Sequence, residues 1–176
     1  MDKFNHAIVP GVILLLLFLF NANITCTEIV LFCIVFGSCI DLNQKLGKLL
    51  GHPSHHLRTF IEEPFGPLLV GVPVAFALSR LNPLYAPCVL IPYICHICCD
   101  YITIHSVCPL APFSGRIRRV GWLVAEDKGP WTAPLSERWV TLALAPPFVA
   151  LAVLKAVQTD GNLFHRVFEL YSQGPV

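Results

Sequence analysis

The chain's few metal-capable side chains fall at the ends of its apolar segments. His6 precedes the first apolar run, and Asp41 and Asn43 follow the second. His55, His56, Arg58, Glu62 and Glu63 precede the third, and His96 and Asp100 lie near the end of the fourth. In a chain that folds back and forth across a membrane, those ends come to one face. Imidazole nitrogens and carboxylate oxygens are ligands of zinc, manganese and magnesium, so the pattern points to a polar, metal-binding site at one bilayer surface. The sharpest local unit is His96-x-x-x-Asp100. Residues four apart share a helix face, so both groups can reach one ion, or the carboxylate can orient the imidazole. The spacing is common by itself. Its place near the end of an apolar helix, where an unpaired ionisable group is costly, gives it weight. The alternative is a satisfied His–Asp pair that only locks two helices.

The elements that must position these residues are apolar. Hydrophobic residues make up 55 % of the 176 and charged residues 13 %, against about 25 % charged in ordinary soluble domains. Mean hydropathy is +0.67. The length suits one domain. The expected class is all-α, a polytopic membrane bundle of four or five transmembrane helices over residues 1–158, with a polar tail over 159–176. The runs are Ala7 to Phe20, Ile29 to Ile40, Phe65 to Leu78, Leu84 to Ile104 and Val140 to Val157. The first two are shorter than the ~20 residues that span a bilayer comfortably. A signal peptide is the rival reading of the first, but Asn21–Cys26 shows no small-x-small cleavage site and a second apolar run follows at once. The short connection Ser79 to Pro83 makes the third and fourth runs a hairpin. Pro146-Pro147 should kink the fifth, and the tail suits a short surface helix from Phe164 to Tyr171.

Five spans with the N-terminus inside give a charge count. Lys3, Lys45, Lys48, Arg58, Arg116, Arg118, Arg119, Lys128 and Arg138 then share one face, and Arg80, Lys155 and Arg166 the other. Nine against three follows the positive-inside rule. The nine-residue face, which also carries the candidate site, is therefore expected to be cytoplasmic. Trp122, Trp131 and Trp139 suit interfacial anchoring, and the arginines suit contact with anionic membrane lipids. The net charge of +1, with no basic, aromatic-interleaved stripe, argues against a nucleic-acid partner. Most of the eight cysteines lie in apolar segments, where free Cys acts as a small hydrophobe. Cys95-x-x-Cys98 has no second CxxC pair to complete a zinc site.

Cys95-His96-Ile-Cys-Cys-Asp100-Tyr-Ile-Thr103, continuing to Pro112-Phe113, resembles the H-x-x-x-D-x-x-T-x-x-G-x-x-x-x-x-P-F signature of membrane-bound, metal-dependent hydrolases of the YdjM type, with Ser106 where that glycine is usual. Gly37-Ser38-Cys-Ile-Asp41-Leu-Asn43 resembles the family's G-S-x-x-P-D-x-D stretch, shifted by one residue and with Asn43 for the second aspartate. His6 resembles its N-terminal histidine. The third motif, H-R-G-x-T-H-S, is altered. Arg58 matches its arginine, Glu62 falls on its second histidine, and His56 stands one residue from the first.

The resemblance implies an all-helical membrane enzyme that uses a divalent metal to activate water. Its distant similarity to zinc-dependent phospholipase C and P1 nuclease suggests phosphoester or lipid-linked substrates. On that reading His6, Asp41, His96 and Asp100 hold one ion or a close pair, and Glu62 or His56 completes the set. Zinc is the first choice, with manganese or magnesium as alternatives. Arg58 would clamp a substrate anion, and Glu63 would be the general base. Plainer roles stand beside these: an interfacial polar residue for His6, the N-cap of a short helix through Leu50 for Asp41, and loop residues for His55 and His56. Two other functions compete. A catalytically silent relative acting as a membrane scaffold is favoured by the altered Arg58–Glu63 segment. A small transporter would need polar residues along the middle of the spans, and here they cluster at the ends.

Overall fold

The apolar runs fold as helices that turn back on one another at short polar connections. The computed structural model describes residues 3–42, 60–103, 105–107, 109–110, 113–114, 118–121 and 138–172. Helix α1, Lys3–Phe18, is apolar nearly all round, as a helix with greasy surroundings on every side should be. Helix α2, Cys26–Cys33, starts three residues before the second apolar run because Thr25 and Glu28 form a capping box. The Glu28 amide donates to Thr25 Oγ1 at 3.2 Å, and the Thr25 amide donates to Glu28 Oε2 at 2.7 Å. The same leg continues through a π-turn, Ile34–Ser38, and a 3-10 turn, Cys39–Asp41. After a 3-10 turn at Phe60–Glu62 come a π-turn, Pro67–Gly71, and helix α3, Val72–Ser79. Helix α4 is Tyr85–Ile102 and helix α5 is Arg138–Ser172.

Side-chain bonds give the direction of each leg. Thr141 near the start of α5 donates to Asn5 Oδ1 near the start of α1 at 2.8 Å. Fourteen residues on, Lys155 Nζ donates to the carbonyls of Phe18, at 2.8 Å, and Asn21. Helices α1 and α5 therefore run parallel. Tyr85, at the start of α4, donates to Glu28 at the far end, and Asp100, near its end, meets His6. Helix α4 thus runs against α1. Asn82 Nδ2 donates to the Asn23 carbonyl at 3.0 Å, which joins two far-end turns. Alternating legs bring the sequence's polar run-ends to one end of the bundle.

Leu14, Leu15, Ile24, Ile29, Cys33 and Cys88 form the buried core, with Phe148 and Leu151 packed against it. Gly11 lets the Phe148 ring lie on α1, since an added Cβ would stand 2.4 Å from it. The outside is as apolar as the inside: Leu16, Leu17, Leu31, Phe76, Val149, Val153, Leu154 and Val157 are all exposed. Among the described residues two helical stretches are long and apolar enough to cross a bilayer, Tyr85–Ile102 and Arg138–Thr159. Phe4–Phe18 and Pro67–Ser79 are shorter. The described cysteines are free thiols.

Two details differ from the expectation. Among the described residues the predominantly helical chain carries one small antiparallel ladder after α4, in which β1, His105–Val107, pairs with β2, Arg118–Val120. The C-terminal tail is not a separate surface helix, because α5 runs unbroken to Ser172. Gly161 costs about 1 kcal/mol in a helix, yet no proline follows it before Pro175. Pro146 and Pro147 also lie inside α5 without ending it. The helix expected from Asp41 to Leu50 lies outside the described residues beyond Leu42, as do Trp122 and Trp131.

Lys155 is fully buried, and its ammonium caps the C-terminal carbonyls of α1. Lys155→Met is expected to lower stability by about 1–3 kcal/mol, read as an earlier thermal unfolding midpoint in detergent. An unchanged midpoint would show that the cap does not hold α5 to α1.

Candidate metal centre

Helix α4 carries His96 and Asp100 on one face, one turn apart. Helix α1 brings His6 to the same place, and the 3-10 turn after α2 brings Asp41. His6 Nε2 lies 3.2 Å from Asp100 Oδ1. His96 Nε2 lies 3.5 Å from Asp41 Oδ1 and 3.7 Å from Asp100 Oδ2. The imidazole rings are 4.2 Å apart, tilted by 31°. Both histidines are completely buried, Asp100 nearly so, and the Asp41 side chain keeps 20 % exposure. The cluster therefore opens towards solvent at Asp41.

The spacing fits a cation. Ligands about 2.0–2.2 Å from a tetrahedral zinc ion stand roughly 3.3–3.6 Å from one another. The observed separations straddle that range, and two exceed the span of about 2.7–3.2 Å in which N–H···O bonds fall. One ligand atom each from His6, Asp41 and His96 falls within 4.8 Å of the others, the one such group found among the described residues.

Three further contacts brace the centre. His96 Nδ1 sits 2.7 Å from the Gly37 carbonyl oxygen in the π-turn. Thr103 ends α4 with an extended backbone, and its hydroxyl donates to the Asp100 carbonyl at 3.0 Å. The Phe60–Glu62 turn packs on the Cys39–Asp41 turn. Glu62 and Glu63 are both fully buried. Tyr93 donates to the Ile61 carbonyl at 2.7 Å, and Tyr101 donates to Glu63 Oε2 at 2.8 Å.

Of the residues singled out from sequence, His6, Asp41, His96 and Asp100 converge, with Glu62 and Glu63 on an adjoining turn. His56 and Arg58 lie outside the described residues, as do Asn43 and His55. Gly37, Tyr93, Tyr101 and Thr103 were not assigned a part in the site. Tyr101 and Thr103 stand inside the same signature as Asp100, so the signal was present. A backbone carbonyl such as Gly37's has no compositional signature.

The comparison that decides the family covers nearly all of this framework: the YdjM inner membrane protein family model matches residues 1–161. The chain belongs to that family. No curated protein and no solved structure matches it. The YdjM family is one of inner membrane proteins, and the exposed apolar flanks of α4 and α5 agree with a membrane location. The matched region takes in every residue of the His/Asp cluster and the turn that carries Glu62 and Glu63.

Tyr101→Phe removes a donor from a buried carboxylate. The expected cost is about 1–3 kcal/mol, measured by thermal unfolding beside Tyr85→Phe at the far end. Comparable destabilisation in the two variants, with metal lost from Tyr101→Phe alone, would place its effect on the centre rather than the fold. No change in Tyr101→Phe would show that Glu63 does not depend on it.

Proposed function

We propose that this YdjM-family protein is a multi-pass, metal-dependent membrane hydrolase acting on phosphoester or lipid-linked substrates at the cytoplasmic face. The observation that carries the reading is the His6–Asp41–His96 group, whose candidate ligand atoms lie within 4.8 Å of one another, with Asp100 3.2 Å from His6 and 3.7 Å from His96. The five-span topology rests on the alternating legs, and the orientation on the nine-to-three charge bias.

His6, Asp41, His96 and Asp100 would hold the ion, with Glu62 reaching it from the neighbouring turn. Zinc suits two imidazoles and two carboxylates, and manganese or magnesium suits a share of oxygen ligands. When bound, such an ion acidifies water and polarises a phosphoryl or carbonyl oxygen. The other steps belong to side chains. Glu63 takes a proton from the attacking water, with its carboxylate oriented by the Tyr101 hydroxyl. Arg58 pairs with the substrate anion through its planar fork. Burial of the histidines leaves Asp41 as the side from which substrate approaches.

The second reading, a silent scaffold of the same fold, is favoured by Glu62 standing where the family's motif has a histidine. The test is metal content by mass spectrometry on detergent-purified protein, beside His96→Ala and Asp100→Asn. Stoichiometric zinc or manganese in the unmodified chain, falling to background in both folded variants, is expected. No metal after loading with zinc, manganese and magnesium would sink the enzyme reading. Metal without turnover across a phosphoester panel would favour the scaffold.

A further inference from the structure

We infer that Gly37 is the positioning residue of this centre, setting both histidines from one point on the chain. The inference rests on the proposed site but concerns a residue outside its ligand set.

The first half of the role is its carbonyl. A carbonyl oxygen only accepts hydrogen bonds. With His96 Nδ1 2.7 Å away, that nitrogen carries the proton and donates. The ring's Nε2 then presents its lone pair to the side where Asp41 and Asp100 stand. A partner on the far nitrogen fixes both tautomer and ring plane, as backbone carbonyls commonly do behind histidine ligands. The carbonyl is available because of local winding. In a regular α-helix it would point along the axis at the amide four residues on. Here the π-turn Ile34–Ser38 and the 3-10 turn Cys39–Asp41 interrupt that ladder. Single π-turns inside α-helices recur at functional sites.

The second half is the missing side chain. An ideal Cβ on Gly37 would stand 2.2 Å from the backbone oxygen of His6 and 3.1 Å from its carbonyl carbon. Those are backbone atoms of α1, which cannot swing aside as a side-chain tip can. Alanine would therefore push α1 away and carry His6 with it. The same residue thus aims one imidazole by a hydrogen bond and admits the other by having no side chain. Four residues later the same leg supplies Asp41.

Two measurements test this, and the first needs neither metal nor turnover. Nitrogen-15 spectra of histidine-labelled, metal-free protein report the tautomer of each neutral ring, with the His96 signals identified by their loss in His96→Gln. A proton on Nδ1 and a lone pair on Nε2 are expected. The opposite tautomer overturns the inference, whatever the site binds. The second measurement is cobalt(II) affinity, read from its visible absorption. Gly37→Ala is expected to weaken it about 10–100-fold, whereas Gly11→Ala, which crowds only the Phe148 ring, leaves it within about twofold. Equal weakening in both variants overturns a role specific to Gly37. If Gly37→Ala does not fold, the tautomer in the unmodified chain decides. If the unmodified chain binds no cobalt, the hydrolase reading fails and the tautomer still decides the role of Gly37.

Discussion

Burying ionisable groups at the end of an apolar bundle is the constraint from which the rest follows. An isolated buried charge is costly, and breaking one member out of a buried set commonly costs about 3–5 kcal/mol. The Asp100 carboxylate meets this through the His6 imidazole, which α1 brings to 3.2 Å. Asp41 closes the set from the second leg. Three legs that share no long polar surface are thereby forced into one arrangement. The apolar contacts below them add little direction of their own, since lipid is as good a neighbour as leucine.

The two ends of the bundle meet the same constraint with opposite signs. At the far end the cation is supplied by the protein itself. Lys155 comes in from α5 and rests on carbonyls at the C-terminus of α1, where the helix dipole favours positive charge. The Thr25–Glu28 box and Tyr85 occupy the neighbouring acceptors and donors. At the near end Asp41 and Asp100 gather around the His6 and His96 imidazoles. The bundle thus gathers a lysine and helix-end carbonyls at one end and a His/Asp cluster at the other.

Much of this was legible in the chain. Apolar runs and their polar ends mark the legs, because a greasy helix is a local property of composition. His96 and Asp100 declare themselves by spacing four on a helix, and His6 and Asp41 by position at run-ends. What sequence could not supply is winding. The π-turn at Ile34–Ser38 depends on α1 crossing closely at Gly37, a tertiary contact with no local signal beyond a glycine. Helix α2 starts ahead of its apolar run for a different reason: Thr25 and Glu28 cap it at Cys26, and hydropathy does not count caps. The continuation of α5 into the polar tail was missed because polarity was read as an end, although nothing in the tail stops a helix before Pro175.

Charge balance connects the altered motif to the choice of ion. On the proposed reading Asp41 and Asp100 bring two carboxylates to two imidazoles, and a divalent cation would match them. Glu62, fully buried on the turn against Asp41, adds a third carboxylate where the family's motif has a neutral histidine. A carboxylate is a harder ligand than imidazole, so the exchange moves the set away from the softer end of zinc chemistry and towards oxygen-loving ions. It also adds an acidic group beside the Asp41 turn, which the proposed ion would offset. The substitution that weakens the match to the motif is therefore one that strengthens the electrostatic case for an ion.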